Sequence, residues 1–152
     1  MPVIKLETTI IAPVDICFNL SRSIDVHVGS MSESKEKAIA GVTSGLIGLD
    51  ETVTWKAWHF SIPMKMTVKI TSLNFPDSFT DKMIKGPFSK MKHVHQFIAQ
   101  GPATVMKDIF EYTSPLGMLG KMVDILFLRN YMQRLLERRN DFIKQQAEDA
   151  AS

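Results

Sequence analysis

SPLGMLGKMVDILFLRNYMQRLLERRNDFIKQQ, residues 114–146, is the stretch on which the fold turns. Apolar residues recur at Met118, Met122, Ile125, Met132, Leu136 and Ile143, in steps of three, four or seven that keep to one helix face. Ser114-Pro115 supplies a start: a hydroxyl to cap free backbone N–H groups, then a proline whose fixed φ suits the first helical position. The spacing predicts one long helix over 114–146 whose stripe must be buried against something. Gly117 and Gly120 fall in its first turns, at up to about 1 kcal/mol each relative to alanine. They suit close backbone approach or a hinge. Arg129 interrupts the stripe between Ile125 and Met132. Pointing inward, it needs Asp81, Asp108 or an anionic ligand group as partner. Pointing outward, it leaves Phe127, Leu128 and Tyr131 to rotate the buried face locally.

Only a sheet upstream is large enough to receive that stripe. Residues 3–11 alternate as a half-buried strand does. Ala12-Pro13-Val14-Asp15 reads as a helix start, with an acidic side chain near the positive end of the dipole. A second short helical piece covers Ile24-Asp25-Val26-His27-Val28, and Lys37-Ala38-Ile39-Ala40 is a brief strand. The three glycines of residues 41–48 read as a mobile loop. From residue 51 to 112 five alternating segments follow, separated by turns at Phe60-Ser61-Ile62-Pro63, Asn74-Phe75-Pro76-Asp77-Ser78, Gly86-Pro87 and Gly101-Pro102. The expectation is an α+β domain over residues 1–152: about seven strands in a curved antiparallel sheet, two short helices after the first strand, and the long helix last.

Composition narrows the function classes. A net charge of +2, without basic clusters interleaved with aromatics, argues against nucleic acid as a partner. Cys17 is alone, which excludes an internal disulfide and fits a reducing compartment. No signal-peptide pattern opens the chain and no apolar run approaches membrane-spanning length, so the expected location is cytoplasmic. Ten Met and nine Phe beside two Tyr hint at adaptable apolar space, because methionine fills irregular gaps well.

The chemistry-bearing residues share one predicted sheet face. Asp81, His93, His95 and Asp108 stand among Met66, Met83, Phe97, Met106 and Phe110, with Trp55 and His59 on the matching face of their strand. Polar groups on an apolar face need partners, at roughly 1–3 kcal/mol for each left unpaired. His93 and His95 project side by side, and either can meet Asp108 if the last two strands are neighbours. A carboxylate orients a histidine tautomer and raises its basicity, an arrangement shared by general bases and metal second shells. A satisfied structural network, or a polar anchor at one end of a ligand cavity, is the commoner meaning of such a pair. A metal would want a third convergent ligand such as His59 or Asp81. No phosphate loop, nucleophile elbow or zinc-finger spacing is present.

Ile11-Ala12-Pro13-Val14-Asp15-Ile16-Cys17-Phe18 resembles the strand-to-helix junction of the START-like, or SRPBCC, superfamily, which includes polyketide cyclases, lipid-transfer domains and plant pollen-allergen proteins. Glu51-x-Val53-x-Trp55, Phe79-x-Asp81, Gly86-Pro87-Phe88, His93-x-His95-x-Phe97, Gly101-x-x-Thr104, Asp108 and Ser114-Pro115-Leu116-Gly117 are similar to an uncharacterised bacterial subgroup of it. The resemblance implies a helix-grip fold: a curved sheet gripping the long helix around an elongated apolar cavity. It does not imply one chemistry, since this fold hosts carriers, cyclases, hydratases and regulators.

The expected function is binding of a hydrophobic or amphipathic small molecule, of lipid, polyketide or aromatic type, between sheet and terminal helix. The sheet residues named above would line the cavity, joined from the helix by Met122, Ile125 and Arg129. No residue is assigned as catalytic and no metal or cofactor is required; the chain is expected to be a monomer or weak dimer. One rival is an enzyme of the cyclase, dehydratase or hydrolase kind, with His93 or His95 as base and Asp108 as orienter. The other is a regulatory interaction module with a filled core, making transient membrane or protein contact through Phe127, Leu128 and Tyr131.

Overall fold

The computed structural model describes residues 2–114, 122 and 127–152. Seven strands form one antiparallel sheet: β1 (Val3–Ile10), β2 (Lys37–Gly41), β3 (Thr52–His59), β4 (Ile62–Asn74), β5 (Ser78–Lys85), β6 (Lys90–Gln100) and β7 (Ala103–Thr113). Their order across the sheet is β1-β7-β6-β5-β4-β3-β2. From β3 to β7 each strand pairs with its predecessor, a meander of consecutive strands. The first strand returns to pair with the last. Two short helices, α1 (Val14–Ser21) and α2 (Ile24–Ser30), follow β1, and the long helix α3 (Arg129–Ala151) closes the chain.

Local chemistry explains the junctions. Pro13 takes an extended conformation at the head of α1, and Asp15 sits in the first turn as the sequence suggests. Ser23 caps α2, its hydroxyl accepting the backbone N–H of Val26 at 3.2 Å. Gly41 ends β2 with φ +73°, and a β-carbon there would fall 2.2 Å from the Thr52 carbonyl oxygen; only glycine fits. The segment after it is not a free loop. The Gly45 N–H donates to Asp25 at 3.0 Å, the Gly45 carbonyl receives the Ile24 N–H at 2.9 Å, and Ile47 is buried. Phe60 and Ser61 form the two-residue connection between β3 and β4, both at positive φ (53° and 62°), where asparagine and glycine are the usual choices.

Alternation along the strands puts the expected side chains inside. Met91, His93, His95 and Phe97 are buried on β6, as are Met106, Asp108, Phe110 and Tyr112 on β7 and Val53, Trp55 and Ala57 on β3. Phe18 of α1 fills the space over one half of this face. Its ring lies 5.1 Å from Phe75, 5.3 Å from Phe79 and 5.2 Å from Phe97, in edge-on or tilted geometry.

The terminal helix departs from expectation in two ways. It runs to Ala151, past residue 146, because no glycine or proline stops it. Its buried face is Leu135, Leu136, Arg139, Asn140, Ile143 and Ala147, with Met132 packed at its margin. The helical start at Ser114-Pro115, Gly117, Met118, Gly120 and Ile125 falls on or beside positions outside the described residues; Ser114 itself is not helical.

Candidate functional site

Between the sheet and α3 lies a cavity of about 340 Å³. Its walls are mostly apolar, with Met66, Trp55, Ala57, Phe110, Leu135 and Leu136 among them. It lies over the half of the sheet face beyond Phe18, where alternate residues of β3 and β4 form much of its wall.

The floor is a buried polar network built by three strands and the helix. Register sets Asp81 opposite His93 and His95 opposite Asp108, yet the hydrogen bonds run diagonally. His93 Nε2 meets Asp108 Oδ1 at 2.8 Å, and His95 Nε2 meets Asp81 Oδ2 at 2.8 Å. The two imidazoles stack 3.7 Å apart. From α3, Arg139 donates to Asp108 Oδ1 (3.4 Å), Asn140 Oδ1 (2.9 Å) and the Ser21 carbonyl (3.4 Å). Its remaining contact, 3.4 Å to His95 Nδ1, assigns that nitrogen as an acceptor, since a guanidinium can only donate. The Asn140 amide donates to Asp108 Oδ2 at 2.7 Å. Among the described residues no side-chain nitrogen or oxygen that is closed off from both solvent and cavity lacks a partner.

This network fixes protonation. Burial alone would raise Asp108, but the hydrogen bond from His93 and the Arg139 guanidinium hold its carboxyl well below the usual carboxylate range. Asp81 moves the same way, its burial outweighed by the His95 hydrogen bond. His93 is lowered to about 4 by burial and by neighbouring His95, against the pull of Asp108. At neutral pH it is an uncharged imidazole between acids. Asp81, His93 and His95 offer ligand atoms within 4.8 Å of one another, the residue types of a facial metal site. The Arg139 guanidinium 3.4 Å from His95 opposes a dication, and both Nε2 atoms are already committed to carboxylates.

The mouth has different chemistry. His59 Nδ1 meets the Tyr131 hydroxyl at 2.6 Å, and burial pushes the His59 pKa down. Phe60 leans on Tyr131 (4.6 Å between ring centroids) and on Phe127 (5.6 Å). Farther in, His27 stacks on Trp55 at 4.2 Å and bonds Glu36 at 2.9 Å.

Of the residues expected around a ligand, Trp55, His59, Met66, Asp81, His93, His95 and Phe110 line this cavity. Phe97, Met106 and Asp108 are buried behind its wall rather than on it, and Met83 is half-buried beside the core. Two helix assignments need correction. Met122 is 60% exposed, and Arg129 is exposed with its guanidinium on the Val3 carbonyl (3.4 Å), outside the cavity. Ile125 lies outside the described residues. The inward cation is Arg139, ten residues on. The signal for it was present: Leu136 and Ile143 are both on the stripe, and helical spacing puts 139 and 140 between them. Glu36 and His27 carried no comparable signal, because a polar loop and a short helix have no readable period.

No protein-family model matches the chain, and no curated protein is similar to it in sequence. Solved structures share its architecture. The protein TTHA0849 from Thermus thermophilus superposes with a TM-score of 0.81 at 16% identity, over 99% of this chain and 100% of that one. A START superfamily protein from Mycobacterium smegmatis gives 0.74 at 12% identity, covering 97% and 98%. Norcoclaurine synthase from Thalictrum flavum, in complex with dopamine and hydroxybenzaldehyde, gives 0.71 at 15% identity, covering 99% and 88%. The seven-stranded curved sheet closed on a long C-terminal helix is thus the helix-grip fold of the START-like (SRPBCC) proteins.

Proposed function

We propose that the chain binds a hydrophobic or amphipathic small molecule, of lipid, polyketide or aromatic type, in the space between sheet and helix. The observation that carries this reading is the cavity itself: about 340 Å³ of mainly apolar space ending on a floor of paired polar groups. Apolar walls with a few placed polar groups are the usual composition of small-molecule sites. That norcoclaurine synthase, with the same fold, holds two small aromatic molecules supports such an occupant. The cavity counts against an interaction module with a filled core.

The cyclase, dehydratase or hydrolase reading has the His93–Asp108 pair in its favour, at 2.8 Å. Against it, an imidazole lowered to about 4 is a poor proton acceptor at neutral pH, where a catalytic base should be poised. Binding is therefore the better reading. It is tested with N-phenyl-1-naphthylamine, a neutral dye that fluoresces in apolar surroundings. The protein should enhance its emission saturably, and Ala57→Trp, which fills the cavity from a buried wall position, should weaken that binding by about tenfold or more. A folded wild-type protein that leaves the dye dark would refute the reading. Native mass spectrometry of the purified protein then identifies a retained ligand by its mass.

A further inference from the structure

The two acids on the floor are not used alike. Asp108 is saturated: Oδ1 accepts from His93 and Arg139, Oδ2 from Asn140, and its side chain has no exposure. Asp81 has one bond, from His95 to Oδ2. No described residue donates to its other oxygen, and its side chain keeps 15% exposure on the cavity wall. His93 adds a second acceptor. With Nε2–H given to Asp108, a neutral imidazole leaves a lone pair on Nδ1, to which no described residue donates.

Cations facing the cavity do not offset this. Arg139 is committed to Asp108, Asn140, the Ser21 carbonyl and His95. Arg22 donates to Asn19 and the Ile47 carbonyl and lies over the Phe18 ring. Glu36 is itself an acid, held by His27. Lys65 is exposed at the rim, where water screens it. The Trp55 indole N–H, a donor for which no described residue supplies an acceptor, stands on β3, two strands from Asp81. Around Asp81 and His93 the unmatched capacity is therefore acceptor, and it includes a carboxylate.

From this geometry we infer that the ligand's inner end is a hydrogen-bond donor without negative charge, an alcohol, a phenol or a protonated amine, seated on the free oxygen of Asp81. The inference rests on the binding reading above and narrows it. A donor there completes the acid with a charge-assisted bond. A ligand carboxylate or phosphate in the same place sets two anions in contact in apolar surroundings.

The test uses three amphiphiles that share one ten-carbon chain, decanol, decylamine and decanoate, each displacing N-phenyl-1-naphthylamine from the wild-type protein near neutral pH. Decylamine and decanol should displace the dye, with decanoate weaker by an order of tenfold. In Asp81→Asn the decanoate deficit should shrink to about threefold or less, while decylamine loses most of its advantage. The ratio of decylamine to decanol shows whether charge or donation alone is read. Decanoate binding as well as decylamine to the wild type overturns the inference while leaving the binding reading intact, and needs no variant. Tight binding of zinc ions that is lost in Asp81→Asn, without discrimination among the three heads, also overturns it, in favour of a metal site. If the dye and all three amphiphiles fail to bind, the fault lies with the binding reading instead.

Discussion

The space between sheet and helix has two halves built from similar residues and finished differently. At the closed half, Phe18 of α1 is fully buried against Phe75, Phe79 and Phe97, and Phe18, Phe75 and Phe97 take no part in the cavity wall. At the open half, aromatic side chains of comparable size, Trp55, Phe60 and Tyr131, stand around a void. The difference lies in which element supplies the plug. Helix α1 follows β1 closely enough to press the Phe18 ring onto Phe79 of β5 and Phe97 of β6, whereas β3 is met by His27 of α2 and Tyr131 of α3. The polar network sits on the boundary, with His95 stacked 4.1 Å from Phe79 on one side and Asp81 opening to the cavity on the other. One half holds the fold together and the other leaves room to bind.

The sharpest way to break that comparison is Phe18→Ala. It should lower stability by about 3–5 kcal/mol in urea unfolding, the range for deleting a buried aromatic ring. If the halves are as separate as the packing implies, the folded fraction still binds the dye with affinity within about threefold of wild type. Loss of binding in protein that remains folded would show the two halves to be one unit.

Acid tests the boundary itself. His93 is lowered in the folded state to about 4 from the ordinary 6.5, so between those values the unfolded chain binds the proton and the folded chain does not. Stability therefore falls as pH falls from 6.5 toward 4, by about 3 kcal/mol over the window. Asp81 and Asp108 are lowered too, so their contribution is present above the ordinary carboxylate value and is lost only as pH falls below it. The windows lie end to end. Urea midpoints at stepped pH should decline across the upper window in the wild type and decline less in His93→Gln, which removes this ring and leaves His59, also lowered by burial, to titrate. An unchanged slope in the variant would assign the effect to other groups.

Much of this arrangement is legible in the residue order, for physical reasons that differ by element. A strand has a period of two, so Asp81, His93, His95 and Asp108 had to share a face, and pairing of β6 with β7 brought histidine to Asp108. Which histidine takes Asp108 was not legible. Directly opposite Cα atoms are His95 and Asp108, while the bond runs diagonally from His93, a matter of rotamers and of the ring stack. The helix was harder. Its apolar stripe is broken by arginines at both 129 and 139, and weight on the break between Ile125 and Met132 chose the one that ends on a backbone carbonyl. Depth decides between them: position 139 lies over the sheet centre beside Leu136 and Ile143, position 129 at its edge. The cavity was legible only through resemblance, since a void is a difference between surfaces from distant parts of the chain and no local pattern encodes it.

The smallest effect expected is at Phe60, and its smallness is the informative part. Phe60 is 53% exposed at the open end, at φ 53°, a conformation that is unfavourable by roughly 1–2 kcal/mol for a residue with a side chain. Phe60→Gly relieves that strain and gives up the ring contacts with Tyr131 and Phe127, worth about 0.5–1.5 kcal/mol each. Glycine also frees the unfolded chain, which offsets part of the relief. The losses slightly outweigh the relief, so stability from urea unfolding should fall by no more than about 1 kcal/mol. Ligand kinetics should not stay fixed. The ring closes over Tyr131, whose hydroxyl bonds His59 on the cavity wall, so its loss opens the mouth. Dye release measured by stopped flow should quicken by a few-fold, with association changed less, as is usual when a contact at a binding site is removed. A stability loss of several kcal/mol would instead place Phe60 with the closed half, as part of what holds the fold.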